Sequence, residues 1–198
     1  MILYLGRHGQ SEANVLRMFS NGLNKHGLTE LGRCQAKQLG ERMACRSIQR
    51  IFSSPILRAV QTAEIVSQRL GMDFQIEPAL AEFSVGDWEG RSDEELWQAH
   101  QRLFEKWLLE KDYKAANGGG ECFLDIRDRY LPFIQRLVTG EMADANTLLI
   151  GHGGTTLAML PCLTADLRPN ELLHLKYPNT AVIQLNWLGD TFRFLSME

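Results

Sequence analysis

A chain of 198 residues, 44% hydrophobic and 23% charged, has apolar content for one domain around a sizeable core. A formal net charge of −3 gives no general attraction to nucleic acid or to an anionic membrane surface, so any anion site must come from local placement of cations. No apolar run approaches the roughly 18 residues of a membrane-crossing helix.

Met1 leads directly into the apolar run Ile2-Leu3-Tyr4-Leu5, with no space for a cleavable leader. Cys34, Cys45, Cys122 and Cys162 are scattered without a metal or redox spacing. Reduced thiols in a cytoplasmic protein are the expectation.

The first predicted strand covers about residues 2–6, followed by a polar loop from Ser11 to Gly27. A helix then starts at Thr29 as N-cap, with Leu31, Gln35, Leu39 and Met43 on its inner face. Arg50-Ile51-Phe52 reads as a short strand. Ser54 then serves as N-cap and Pro55 as first residue of a helix that runs to about Leu70 and stops at Gly71. Phe74-Gln75-Ile76 is a further strand, and a loop carries Glu82 to Gly90. Ser92-Asp93-Glu94-Glu95 has the form of a capping box for a helix bearing Leu96, Trp97, Leu103, Phe104 and Trp107.

After the break at Asn117-Gly118-Gly119-Gly120, helical spacing joins Phe123, Ile126, Tyr130, Phe133, Ile134 and Leu137. Pro132 predicts a kink or a change of helical geometry there. A strand at 147–151 leads into a helix from Gly154 that Pro161 bends or ends. Ala181–Trp187 and Thr191–Leu195 form a hairpin around Leu188-Gly189-Asp190. The alternation predicts an α/β sandwich with a mostly parallel central sheet and an antiparallel strand at the end. Residues 1–198 read as a single domain, with a helical insertion over the site at about 87–121.

Two short strings stand out because each follows a buried-strand pattern: Arg7-His8-Gly9, and Gly151-His152-Gly153-Gly154. In open α/β sheets ligands bind beyond the carboxyl ends of parallel strands, so neighbouring strands would aim both imidazoles at one cavity. Gly9 and Gly153 let backbone approach a ligand closely. Imidazole, with an ordinary pKa of about 6.5, is nucleophilic at neutral pH, and attack on phosphorus gives a phosphohistidine. Arg7 and Arg58 offer guanidinium forks that suit phosphate oxygens. A carboxylate beside such a site could protonate a leaving alkoxide and then activate water; Glu82, Asp87 and Glu89 are equal candidates on spacing. His8 and His152 are flanked by cations rather than carboxylates, so no metal and no other cofactor is expected.

Together these strings resemble the histidine phosphatase superfamily, the phosphoglycerate mutase-like proteins. The resemblance rests on Leu5-Gly6-Arg7-His8-Gly9-Gln10-Ser11-Glu12-Ala13-Asn14, Leu28-Thr29-Glu30-Leu31-Gly32 with Gln35-Ala36, and Ser53-Ser54-Pro55 through Arg58 to Ala63. It continues with Glu82 ahead of Gly86-Asp87-Trp88-Glu89-Gly90, and with Gly151-His152-Gly153-Gly154. It implies a three-layer α/β/α sandwich, His8 as phosphorylated nucleophile, and Arg7, Arg58 and His152 as phosphoryl ligands. Asn14 adds a hydrogen bond, Glu82 acts as proton donor and acceptor, and Ser11, Ser20 and Gly153 are looser substrate-binding matches.

The compact length and Trp88-Glu89-Gly90 are similar to the phosphatase branch of that family. The loop Phe19 to His26 and the segment with Trp97, Phe104, Trp107 and Tyr113 match no specificity signature, and these aromatics are expected in the core. Lys25, Lys111 and Lys114 are expected to be solvated surface charges rather than a second anion site. The leading expectation is a metal-independent phosphatase acting on a small phosphorylated metabolite. A phosphoglycerate mutase-type phosphotransferase and a non-catalytic phosphate-binding module are the alternatives; nothing in the sequence sets an oligomeric state.

Overall fold

The structure, a computed structural model, describes residues 1–22 and 25–198; Leu23 and Asn24, inside the predicted loop 11–27, lie outside the described residues. A six-stranded sheet has the order β3-β2-β4-β1-β5-β6. The strands are β1 (Ile2–Arg7), β2 (Arg50–Ser53), β3 (Gln75–Ile76), β4 (Thr147–Gly151), β5 (Val182–Trp187) and β6 (Phe192–Met197). β1, β2, β3 and β4 run parallel to their neighbours among themselves, while β5 is antiparallel to β1 and forms the predicted hairpin with β6.

All five residues of β4 are buried, as expected for a central parallel strand covered on both faces. In β1, side chains alternate between two cores. Leu3 and Leu5 join one with α5 (Phe123–Thr139) and α6 (Gly153–Leu163), whereas Tyr4 joins the other with α2 (Glu30–Met43) and α3 (Leu57–Leu70). Helices therefore cover both faces of the sheet, giving the three-layer α/β/α arrangement. The register pairs Arg7 with Gly151, so β1 and β4 end level and the residues that follow, His8 and His152, emerge side by side.

Several local expectations are corrected. Leu31 is 54% exposed; the buried face of α2 is Gly32, Ala36, Leu39, Gly40 and Met43. Close approach is the reason: a Cβ on Gly40 would lie 2.9 Å from Arg69 Cβ, so small residues, not Leu31, face α3. α3 starts at Leu57 with Ile56 as N-cap, because Ser54 and Pro55 form the turn before it. The Ser92–Glu95 capping box is absent: Asp93 is the N-cap of α4 (Glu94–Glu105) and makes no side-chain cap bond. Its carboxylate instead takes Arg91 through a two-pronged pair at 2.9 and 3.1 Å.

Pro132 causes no change of helix type in α5, and α6 continues two residues beyond Pro161. Five short elements among the described residues escape the sequence pattern: α1 (Glu12–Val15), α7 (Pro169–His174), a π-helical turn, Lys106–Glu110, that extends α4, and 3-10 turns at Pro78–Leu80 and Gly86–Trp88. Each is too short for helical periodicity to register.

Gly32 determines how closely α2 approaches the loop after His8. A Cβ there would fall 1.9 Å from the Gln10 carbonyl oxygen, and one on Gly9 would fall 2.4 Å from the Gly32 oxygen. Backbone has to move to admit either. Gly32→Ala is expected to cost about 1–3 kcal/mol and to lower the thermal unfolding midpoint by about 3–10 °C. An unshifted calorimetric midpoint would show that this contact is soft.

Candidate active site

The ends of β1 and β4 and the start of α3 converge on a cavity of about 440 Å³. His8 borders it, and His152 is buried beside His8 without bordering the cavity itself, with ring centroids 5.2 Å apart and planes at 57°. The His8 tautomer follows from its partners. Nδ1 lies 2.6 Å from the Gly9 carbonyl, which can only accept, so Nδ1 carries the proton. Arg58 Nε, which can only donate, reaches Nε2 at 3.1 Å, so Nε2 carries the lone pair.

Arg58 sits on the first turn of α3, 4% exposed, and its Nη1 donates to the Ser20 carbonyl at 2.6 Å. Burial lowers its pKa to about 10, with Glu82 raising it and Arg7 lowering it further. Arg7 Nη1 donates to the Tyr177 carbonyl at 2.6 Å, and its Nε is buried without a partner among the described residues. Burial also holds the Arg7 pKa below its ordinary value.

His152 caps α6 and pairs through Nε2 with Ser54 Oγ at 2.7 Å. Ser54 Oγ also accepts from Ile56 N at 3.2 Å, and its remaining lone pair and its proton can serve either tautomer of the ring. Nδ1 has no partner among the described residues. The site thus holds two buried polar atoms without a partner among the described residues, Arg7 Nε and His152 Nδ1. Such groups are costly unless something bonds to them.

Glu82 is the one of the three candidate carboxylates that borders the cavity. Its oxygens receive Gly154 N at 2.8 Å, Thr155 N at 2.6 Å, Thr155 Oγ1 at 2.9 Å and Phe83 N at 3.2 Å. The carboxylate therefore occupies the N-terminus of α6, where free amides favour negative charge. Gly154 is required there, since a Cβ would lie 2.8 Å from Glu82 Oε1. Asp87 is exposed, and Glu89 accepts from Asn21 N and Gly22 N at 2.9 and 3.2 Å.

Asn14, Ser20 and Gly153 border the cavity, whereas Ser11 caps α1 by accepting from Asn14 N. Ser20 Oγ lies 2.9 Å from His26 Nδ1. Sequence reasoning missed Ser54, Asn179 and Tyr177. Asn179 Nδ2 donates to the His8 carbonyl at 3.0 Å and lies 3.2 Å from Asn14 Oδ1, tying the nucleophile loop to Asn14. Its only signal was position, just before β5. Two of the aromatics expected in the core, Trp97 and Phe104, line the cavity, while Trp107 is fully buried as expected. His100 joins them and carried no sequence signal at all.

Burial is the largest cause lowering the pKa of His8, His152 and His100, and the neighbouring arginines push the first two further down. Each is less basic folded than at its unfolded value of about 6.5, so the unfolded chain binds protons first as pH falls. Stability is then lost as pH drops below about 6.5, with a slope of up to about 1.4 kcal/mol per pH unit for each such histidine. Urea unfolding between pH 7 and 5 should show this decline. His8→Asn combined with His152→Asn should flatten it; an unaltered slope would contradict the assignment.

The family model of the histidine phosphatase superfamily (branch 1) matches residues 3–198. A glucosyl-3-phosphoglycerate phosphatase of Mycolicibacterium vanbaalenii is 34% identical over 167 residues, spanning 81% of this chain and 73% of the relative. A 2,3-bisphosphoglycerate-dependent phosphoglycerate mutase of Nitrobacter winogradskyi is 32% identical, with 87% and 84% covered. The solved structure of a mycobacterial glucosyl-3-phosphoglycerate phosphatase complexed with VO3 superposes with a TM-score of 0.84 at 29% identity, over 98% of this chain and 96% of that one. With the matched strings meeting around His8, this chain belongs to the histidine phosphatase superfamily.

Proposed function

We propose that this chain is a phosphatase that hydrolyses small phosphomonoesters without a metal, through a phosphohistidine on His8. One observation carries the reading: His8 Nε2 accepts from Arg58 at a cavity that Arg7 also borders, with the His152 ring 5.2 Å from that of His8, where a phosphoryl group would be both attacked and neutralised. A phosphomonoester carries about −1.5 to −2 at neutral pH, and two guanidiniums supply matching charge. Phosphoryl transfer needs mainly positioning and charge stabilisation, which this set provides.

In the first step Nε2 attacks phosphorus and the ester P–O bond breaks. Arg58 exchanges its bond to Nε2 for one to a phosphoryl oxygen, and Arg7 Nε and His152 Nδ1 gain the partner that they lack. Glu82, at the cavity wall, supplies the proton to the leaving alkoxide. In the second, water attacks phosphorus, Glu82 takes its proton, the N–P bond breaks and His8 is restored with release of inorganic phosphate. Asn14, Ser20 and Gly153 orient the ester, and Ser11 acts through the capping of α1.

Residues 1–198 act as a single domain, with the segment at about 87–121 lying over the site, in a cytoplasmic setting. The similar mutase favours a second reading, return of the phosphoryl group to another hydroxyl of the bound product. A relative of the same fold was solved in complex with VO3, which supports the binding of an oxyanion by this fold.

The test is phosphate release from a phosphomonoester in excess chelator, with an alkaline denaturing quench at short times to trap labelled protein. Acid-labile, base-stable label at one equivalent per chain is expected. An acid-stable label, or release abolished by chelator, defeats the mechanism. Isomerisation of 3-phosphoglycerate outpacing phosphate release moves the assignment to the mutase.

A further inference from the structure

The phosphoryl cluster occupies one end of the cavity. Among the described residues, the arginines and the carboxylate that border it, Arg7, Arg58 and Glu82, all belong to that cluster. The rest of the lining is largely apolar and aromatic, with Asn21, Gln101 and His100 as uncharged polar members. Phe19 and Trp97 stack with centroids 4.1 Å apart at 17°, and Phe104, Leu157 and Met18 continue the surface. The Trp97 indole N–H is spent on the Arg17 carbonyl at 2.6 Å, so its ring contributes apolar area alone.

His100 closes this wall. It stacks on Phe83 at 5.3 Å and 10°, and meets Phe19 and Trp97 edge-on at 5.2 and 5.6 Å. Its Nδ1 lies 3.4 Å from Asn117 Nδ2, which donates to it, leaving Nε2 as the one polar atom the ring can offer. Burial keeps the ring uncharged, so it supplies no counter-ion. Lys25, Lys111 and Lys114 are exposed, and none borders the cavity. Gln101, Phe104 and Leu157 also border a second hollow of about 390 Å³ lined by Leu172, Leu173 and Leu175, so the apolar surface extends past the first cavity.

We propose that this wall is the leaving-group subsite and that it selects phosphomonoesters of uncharged, apolar alcohols, aromatic ones foremost, over those whose alcohol carries a carboxylate or a second phosphate. An aromatic ring gains burial and edge or face contacts with Phe19, Trp97 and Phe104. A second anion would lose its hydration against a wall that offers no cation, with Glu82 repelling it. The proposal rests on the phosphatase reading above and adds the substrate class.

The experiment compares kcat/KM for benzyl phosphate, methyl phosphate and 3-phosphoglycerate with the full chain. All three are esters of alkyl alcohols, so their intrinsic reactivities are comparable. Benzyl phosphate is expected to exceed 3-phosphoglycerate by about tenfold or more. In Phe104→Ala, or in Phe104→Leu should the first fail to fold, the benzyl-to-methyl ratio is expected to fall about tenfold. Turnover of 3-phosphoglycerate equal to or faster than benzyl phosphate overturns the proposal, as does an unchanged ratio in the folded variant.

Failure to release phosphate from any of the three would defeat the phosphatase reading instead. Calorimetric binding of benzylphosphonate against 3-phosphonopropionate would then decide the subsite: tighter binding of the benzyl compound supports it, and equal or weaker binding sinks it.

Discussion

His8→Ala is expected to lower kcat/KM by about 10⁴- to 10⁶-fold and to abolish the labelled phosphoenzyme. The size follows from losing the covalent route altogether, since the guanidiniums of Arg7 and Arg58 remain but have no nucleophile to serve. His152→Ala separates the two imidazoles. His8 borders the cavity and its Nε2 accepts from Arg58, a bond that a phosphoryl oxygen can take over, whereas His152 does not border the cavity and its Nε2 is tied to Ser54 Oγ at 2.7 Å. His152→Ala is therefore expected to slow turnover while label still forms on His8. Label persisting in His8→Ala would show that the nucleophile lies elsewhere. A circular dichroism spectrum matching the parent would show that lost activity is chemical rather than structural.

Glu82→Gln should give a loss that depends on the leaving group. For an alkyl phosphate the missing proton donor costs about 10²- to 10⁴-fold in kcat. With p-nitrophenyl phosphate the departing phenolate needs no proton, so the first step keeps most of its rate. The second step still lacks its base. Rapid-mixing kinetics should then show a burst of one equivalent of p-nitrophenolate followed by slow turnover, with phosphoenzyme accumulating. Equal losses for alkyl and aryl esters, with no burst, would remove Glu82 from the proton-transfer role. The amide also sets an NH₂ group against donors that now point at carboxylate oxygens, Gly154 N and Thr155 N among them. A stability loss of about 1–3 kcal/mol is expected beside the kinetic one.

The architecture of the site was legible because its determinants are local. The apolar runs before Arg7 and Gly151 mark buried strands by themselves, and the glycines after each histidine announce close backbone approach. The order of the motifs then carried the family, and through it Arg58, Asn14 and Glu82. Choosing Glu82 over Asp87 and Glu89 was different: spacing left the three equal, and the donors at the start of α6 distinguish the one that borders the cavity.

Side-chain facing depended on tertiary packing. Leu31 and Gly32 are adjacent in the chain, and helical periodicity favours burying the leucine. The approach of α2 to the Gln10 carbonyl leaves no volume for a Cβ at Gly32, and so turns Leu31 outward. Ser54 has the composition of a helix cap, yet its hydroxyl is drawn to an imidazole 98 positions away. Trp97, His100 and Phe104 lie on a helix whose amphipathic pattern states that one face is covered, not what covers it. Sequence alone determined the strands, the order of the reactive groups and the family. The level ends of β1 and β4, the bond from Arg58 to His8 and the aromatic wall were decided by the fold, because each depends on groups that meet only through distant segments.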